Sequence, residues 1–422
     1  MKFLIPLMSI ILLFACKPNK EEIKQQNLAE LKADVSFLAS DSLEGRETGT
    51  KGEQIAAQYL VNRFKDLGLI TMGDSSSFQQ VFEFIPKANP HVMTSGDSLS
   101  MGMGTVKPVN GSNIIGFIDN KAAKTVVIGA HFDHLGMGSD NSLFTGEPAI
   151  HNGADDNSSG VAALLELAQR LKKPGYHSAN NYLIIAFSGE EKGLWGSNWF
   201  CKNPTIQLES INYMLNLDMV GRLKAERTLA INGVGTSPQW MPILEALSVD
   251  SINIVTTESG VGPSDHTSFY LKDIPVLHFF TGQHEDYHKP SDDIEKINFE
   301  GILSVVNYID ALISKLNDQG ELEFSKSKDD NNSDTPRFKV TLGVVPDYLY
   351  SGNGMRIDGV SEGKLAQRLG LKSGDIVIAL GDSLVTDMMS YMHALSAHSA
   401  GDSSLLRIER DGSEISFPLK FD

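Results

Sequence analysis

The sequence predicts an α/β protein with a mostly parallel central sheet, helices on both of its faces, and a small β-rich domain with helices after it. Three observations predict this. Short apolar runs recur with little polar alternation, segments with helical spacing lie between them, and one polar, acidic stretch divides the chain. A run that is apolar at nearly every position suits a strand covered on both faces. Strands of that kind alternating with helices suit a mostly parallel sheet.

The runs span Thr125 to Ala130, Tyr182 to Phe187, Tyr213 to Leu217 and Ile274 to Phe280. Residues 27 to about 70 read as helical, punctuated by the Gly-rich Leu43-Glu44-Gly45-Arg46-Glu47-Thr48-Gly49-Thr50. From Gly160 to Lys172, Leu164, Leu167, Ala168 and Leu171 share one helical face. The stretch from Lys326 to Pro336 lacks apolar residues and reads as a linker, and short strand patterns with turns come after it. The expected division is a leader over 1–15, a polar tether over 16–26, a main domain over 27–320, a linker over 321–335 and a second domain over 336–422.

Composition narrows the class. The chain has 422 residues, 41 % hydrophobic and 21 % charged, which excludes disordered, collagen-like and coiled-coil proteins. Lys and Arg number 36 against 53 Asp and Glu, a net charge of −17. That balance argues against a nucleic-acid partner, which needs a basic face. Lys2, an apolar core from Phe3 to Phe14, and small Ala15 before Cys16 read as a secretory signal. The only other cysteine, Cys201, has no side-chain thiol to pair with if Cys16 is modified, and reads as buried and inert.

Acidic and histidine motifs come directly after the apolar runs. They are His131-Phe132-Asp133-His134, Glu190-Glu191, Asp218 and, after a short loop, His288. Ligands of open parallel sheets bind beyond the carboxyl ends of the strands, so these motifs can converge. Gly153-Ala154-Asp155-Asp156-Asn157-Ser158-Ser159-Gly160 opens the helix that starts at Gly160. Each motif also has a structural reading: Asp155 to Ser158 can merely cap that helix, and Glu190-Glu191 can be surface charge. Asp218 is harder to dismiss, because a charge ending an apolar run is costly unless paired or metal-bound. Together the set offers imidazole and carboxylate donors of the kind that suit zinc. The sequence has no Gly-x-Ser-x-Gly elbow to supply a competing nucleophile.

These pieces, with Leu38-Ala39-Ser40-Asp41, Leu43-Glu44-Gly45-Arg46, Asn216-Leu217-Asp218-Met219 and Tyr287-His288-Lys289-Pro290-Ser291-Asp292, resemble in order the co-catalytic zinc aminopeptidases of metallopeptidase clan MH. The resemblance covers residues from about 30 to 318. It implies two zinc ions bridged by Asp156, with His131 and Asp218 completing one site and Glu191 and His288 the other. It implies Glu190 as general base on a metal-bridging water and Asp133 as the group that orients His131. Tyr287 is a candidate oxyanion donor. Ser264-Asp265-His266 resembles a family loop and receives no role. Substrates would be peptides with a free N-terminus. The alternatives kept open are a carboxypeptidase or glutaminyl cyclase on the same fold, or a catalytically silent peptide-binding lipoprotein.

Two further resemblances concern the ends. Leu13-Phe14-Ala15-Cys16 resembles a bacterial lipoprotein box, implying a lipid on Cys16, membrane attachment and a place in the bacterial cell envelope with the catalytic domain outside the cytoplasm. Residues 336–422 resemble a bacterial PDZ domain, with Thr341-Leu342-Gly343-Val344 as the loop for a peptide or protein C-terminus. One literal match reads as a decoy: His284-Glu285-Asp286-Tyr287-His288 has the His-Glu-x-x-His form that zincins carry on a helix. Gly282 before it and Pro290 after it predict a loop.

Overall fold

The computed structural model describes residues 19–84, 108–138, 141–176, 178–327, 340–346, 350, 352–360, 364–386 and 388–421. The expected leader and lipid-anchored Cys16 lie outside them. Among the described residues no helix is long and apolar enough to cross a membrane.

Helix α1 (Lys20–Leu38) starts earlier than expected. The Asn19 side chain accepts the Glu22 N–H, and the Glu22 carboxylate accepts the Asn19 N–H. This reciprocal cap satisfies two backbone donors. The tether expected over 16–26 is therefore helical from Lys20, and Asn27 is already buried, donating to Glu166 Oε1 at 2.7 Å. A short 3-10 segment, Asp41–Arg46, and α2 (Lys51–Asp66) complete the predicted helical region.

Next along the chain are β1 (Ile70–Thr71), β2 (Gln79–Phe84), β3 (Val109–Ile118), β4 (Thr125–His131), α3 (Gly160–Leu171), β5 (Asn181–Phe187), α4 (Trp195–Lys202) and β6 (Ile211–Leu217). Then come β7 (Thr228–Asn232), α5 (Trp240–Glu245), β8 (Asn253–Thr257), α6 (His266–Tyr270), β9 (Val276–Phe280) and α7 (Phe299–Leu316). The strands form one sheet in the order β1-β3-β5-β4-β6-β9-β7-β8, with β2 paired to β3. The central strands β5, β4, β6 and β9 are mutually parallel. The flanks are less uniform than expected, since β1, β2 and β5 all pair antiparallel with β3, and β7 pairs antiparallel with β9.

Every residue of β4, β5, β6 and β9 is buried. Alternate side chains explain why. Val126, Ile128, Tyr182, Ile184, Tyr213 and Leu215 join one core with α1, α2, α3, α5 and α7. Val127, Leu183, Ile185 and Met214 join the opposite core with Phe200 and Cys201 of α4 and Phe269 and Tyr270 of α6. Cys201 is a free, buried thiol whose pKa burial pushes up to about 12, as an inert role requires.

The linker also begins later than expected. Leu322 is buried in the main core, the Ser325 N–H donates to Thr236 O, and the Ser327 N–H donates to the Tyr270 hydroxyl at 3.1 Å. The first unit thus extends through Ser327. The second unit is an antiparallel sheet ordered β10 (Val344–Pro346), β11 (Met355–Val360), β12 (Ile376–Leu380), β14 (Ser403–Arg410) and β15 (Ser413–Lys420), with β13 (Ser383–Leu384) paired to β12. Helices α8 (Leu365–Leu369) and α9 (Met388–Ser396) join it. Its separate core includes Leu342, Ala366, Val377, Leu406 and Ile408.

Candidate metal centre

The carboxyl ends of the parallel strands bring the predicted residues together. His131 is the last residue of β4, paired beside Phe187 at the end of β5. Glu190 and Glu191 come after β5, Asp218 after β6, and the loop leaving β9 carries His288. Asp156 comes from the segment that opens α3.

Asp156 sits between two groups of donors. Its Oδ1 is 3.2 Å from His131 Nε2, which is also 3.4 Å from Asp218 Oδ1. Its Oδ2 is 3.2 Å from His288 Nε2, which is also 3.4 Å from Glu191 Oε2. Two donors on a tetrahedral zinc, each about 2.0–2.2 Å from it, stand roughly 3.3–3.6 Å apart. The observed spacings are close to that, so the residues present fit zinc on each side of Asp156. Candidate ligand atoms of His131, Asp156 and Asp218 all lie within 4.8 Å of one another. So do those of His134, Asp156 and Glu191.

Electrostatics fit the same reading. Burial raises the Asp156 pKa, but hydrogen bonds from His131 and His288 outweigh it and hold the carboxylate well below its usual range. Burial lowers His288, yet Glu191 and Asp156 carry it up to about 9. The carboxylates therefore call for positive charge at this spot, which protons or a divalent cation can supply. Burial, aided by Asp218 and Glu191, pushes the Glu190 carboxyl well above its ordinary value against the pull of His131. Its Oε2 stands 4.0 Å from His131 Nε2.

Asp133 acts on His131 less directly than expected. His131 Nδ1 is 3.2 Å from the backbone carbonyl of Asp133 and 3.7 Å from its carboxylate. That carboxylate accepts the Thr48 hydroxyl at 2.9 Å and the Glu190 N–H at 3.1 Å. It thus ties the β4 end to the base. Tyr287 stacks on the His288 ring, centroids 3.8 Å apart, and lines one cavity with His131, Asp156, Glu190 and Asp218.

Several residues of the site escape sequence reasoning. His134 Nδ1 lies 2.7 Å from Glu191 Oε1, and its place in the same tetrapeptide as His131 is the one signal for it. Ser264, to which the sequence assigns no role, donates to Asp218 Oδ2 at 2.6 Å. The Asn157 side chain donates to Leu217 O at 2.9 Å and accepts the Met219 N–H at 3.1 Å, fastening the Asp156 segment to the end of β6. Asp292 Oδ2 accepts the N–H groups of both Asp155 and Asp156 at 3.0 Å.

Arg46 is the largest such omission. It is fully buried, and it donates to the carbonyls of Phe132, Leu38, Asn152, Gly153 and Asp156. Phe132 lies between His131 and Asp133, and 152–156 is the segment that delivers Asp156. One guanidinium therefore holds both ligand-bearing loops. Burial lowers its pKa to about 10, with Asp156 and Asp133 opposing that loss of charge. Gly153, at φ 56°, lets this segment fold tightly against itself and His134: a Cβ there would strike Asp156 O and the His134 ring.

The decoy resolves as expected. No helix contains residues 281–291. His284 Nε2 lies 3.1 Å from Asp155 Oδ2, and Glu285 is exposed. In the second unit, Gly343 of the Thr341-Leu342-Gly343-Val344 loop has φ 77°, and its N–H donates to Thr341 Oγ1 at 3.0 Å. An incoming carboxylate would have to displace that contact. Leu342 is buried in the core below it.

The sequence model of Peptidase family M28 matches residues 113–313. Aminopeptidase YwaD of Bacillus subtilis is 24 % identical over 306 residues, 68 % of this chain and 63 % of the relative. A probable leucine aminopeptidase of Arthroderma otae is 30 % identical over 204 residues, 45 % of this chain and 53 % of its own. The chain thus spans about half to two thirds of the length of these curated relatives. Among solved structures, a Zn-dependent exopeptidase from Parabacteroides distasonis is similar with a TM-score of 0.54 at 20 % identity. That alignment covers 68 % of this chain and 97 % of the other. The fold of the first unit is that of the zinc exopeptidases.

Proposed function

We propose that this chain, matched through its central segment by the M28 family model, is a zinc-dependent aminopeptidase. One observation carries the reading: the two oxygens of Asp156 face two separate histidine–carboxylate groups, with Glu190 beside them. His131, Asp156 and Asp218 would hold one ion, and Asp156, Glu191 and His288 the other. Zinc held there would supply Lewis acidity, easing deprotonation of water and polarising a scissile carbonyl.

The chain's own residues do the rest. Glu190, kept basic by its buried and negative surroundings, takes a proton from the attacking water and returns it to the leaving amine. Asp133 holds the Glu190 backbone through the N–H bond at 3.1 Å, so the base stays registered to His131. Asp218 is fixed by Ser264 at 2.6 Å. The dense carboxylates favour a substrate that presents a free, positively charged amine. The relatives' names, which include aminopeptidases and a zinc-dependent exopeptidase, support this reading. Attachment through lipid on Cys16 and capture of a peptide C-terminus by the second unit belong to the same proposal.

Metal counting tests it. Asp156→Ala should lower zinc from about two per chain, because both groups lose a shared ligand. Glu190→Gln should keep the zinc and lose turnover by ~10²–10⁴-fold. Two zincs retained without Asp156, or near-normal turnover without Glu190, would overturn the assignment.

A further inference from the structure

The metal-ligand candidates line a cavity of about 70 Å³ whose lining also includes Met219, Pro263, His278, Phe280, Gln283 and Tyr287. In the aminopeptidase reading, the premise for any role of these other residues, the substrate amine and scissile carbonyl face the metal ligands. The first side chain then meets the rest of the lining. Met219 and Phe280 pack with Ala230 and Tyr287 into a small apolar cluster. Apolar walls alone would favour an aliphatic residue.

Two atoms change that. His278 Nε2 and Gln283 Oε1 are buried and have no hydrogen-bond partner among the described residues. The residues are 5 % and 7 % exposed. The other ring nitrogen of His278 is already engaged: Asn232 Nδ2 lies 3.1 Å from His278 Nδ1, and Asn232 Oδ1 lies 2.7 Å from the Thr257 hydroxyl. Burial keeps the ring neutral, lowering its pKa to about 4.

The lining therefore holds two buried polar atoms without partners inside an apolar frame. We infer that the side-chain subsite selects an N-terminal residue bearing a hydroxyl or a carboxamide. Such a group both donates and accepts, and so can satisfy His278 and Gln283 together. An aliphatic side chain of the same shape leaves both atoms unpaired, which sites built for hydrogen bonding discriminate against.

Matched pairs of substrates test this on the zinc-loaded full chain. Asparagine and leucine amides are near-isosteres, as are threonine and valine amides. The expected kcat/KM favours the polar member of each pair by about tenfold, the scale of one or two net hydrogen bonds. Gln283→Leu and His278→Leu should each bring the ratios to one or below. If the change within β9 prevents folding, the Gln283 variant, in the loop after it, decides alone. Leucine and valine favoured by the unaltered protein would overturn the inference and leave the aminopeptidase reading standing. A polar preference unchanged in the folded variants would also overturn it. Failure to cleave any of the four amides would remove both.

Discussion

Arg46→Lys keeps the buried charge and removes the fork that holds the site. The guanidinium reaches five backbone carbonyls, whereas an ammonium has three donors. Gly153 O also accepts from Ser158 N and Oγ, so at least one of the other four carbonyls must lose its partner. An orphaned group costs roughly 1–3 kcal/mol, so the variant should be destabilised by at least about that much. Arg46→Ala should cost at least as much, because Asp156 and Asp133 also lose a buried counter-charge. Urea unfolding monitored by tryptophan fluorescence isolates the effect, since Trp195, Trp199 and Trp240 all lie in the first unit. Zinc affinity, measured by competition with a chelator, should fall ~10–100-fold, as when groups supporting metal ligands are removed. A folded Arg46→Lys protein within ~0.5 kcal/mol of the parent and equal in zinc affinity would show that the fork does not hold the site.

Other parts of the structure carry expectations of their own. Glu285→Gln should leave hydrolysis nearly unchanged while Glu190→Gln abolishes most of it; the reverse pattern with one peptide substrate would restore the zincin reading. Burial raises the Glu53 carboxyl from its ordinary 4.5 to about 7, despite bonds from Ser188, Gly49 and Ser112. The folded state then holds this proton more tightly than the unfolded one. Stability should fall as pH rises from about 4.5 to 7, by on the order of 3 kcal/mol from this group. Glu53→Gln should flatten that part of the urea midpoint-versus-pH curve, and an unchanged slope would contradict the attribution. A chain stopped after Ser327 should fold and bind zinc, whereas one stopped after Gly320 loses buried Leu322 and should melt several degrees lower. Equal melting temperatures would show that residues 321–327 contribute nothing to the core.

The parts legible in the sequence are those with local signals. Strands β4, β5, β6 and β9 are buried on both faces, so each reads as an apolar run without needing its neighbours. Asp218 and His131 are visible because a charged or titratable group closes such a run. Strand β1 has only two residues, and β2 alternates buried with more exposed positions at an edge. Strand β3 carries Gly116, where Phe64 and Leu69 pack too closely for a Cβ. None of these offers a clean pattern. The contacts that shape the site are also long in sequence. Arg46 meets carbonyls 86 to 110 residues away, and His278 depends on Asn232. No periodicity announces such pairings. The early start of α1 was legible in principle, since Asn19 and Glu22 have the spacing of a reciprocal cap.

If the proposed function is right, this centre removes residues from a free N-terminus. The product pattern of the zinc-loaded protein with one peptide, offered free and N-acetylated, decides the matter. The first amino acid should be released from the free peptide, and the acetylated one should stay intact. Equal cleavage of both, or release of residues from the carboxyl end, would contradict an aminopeptidase.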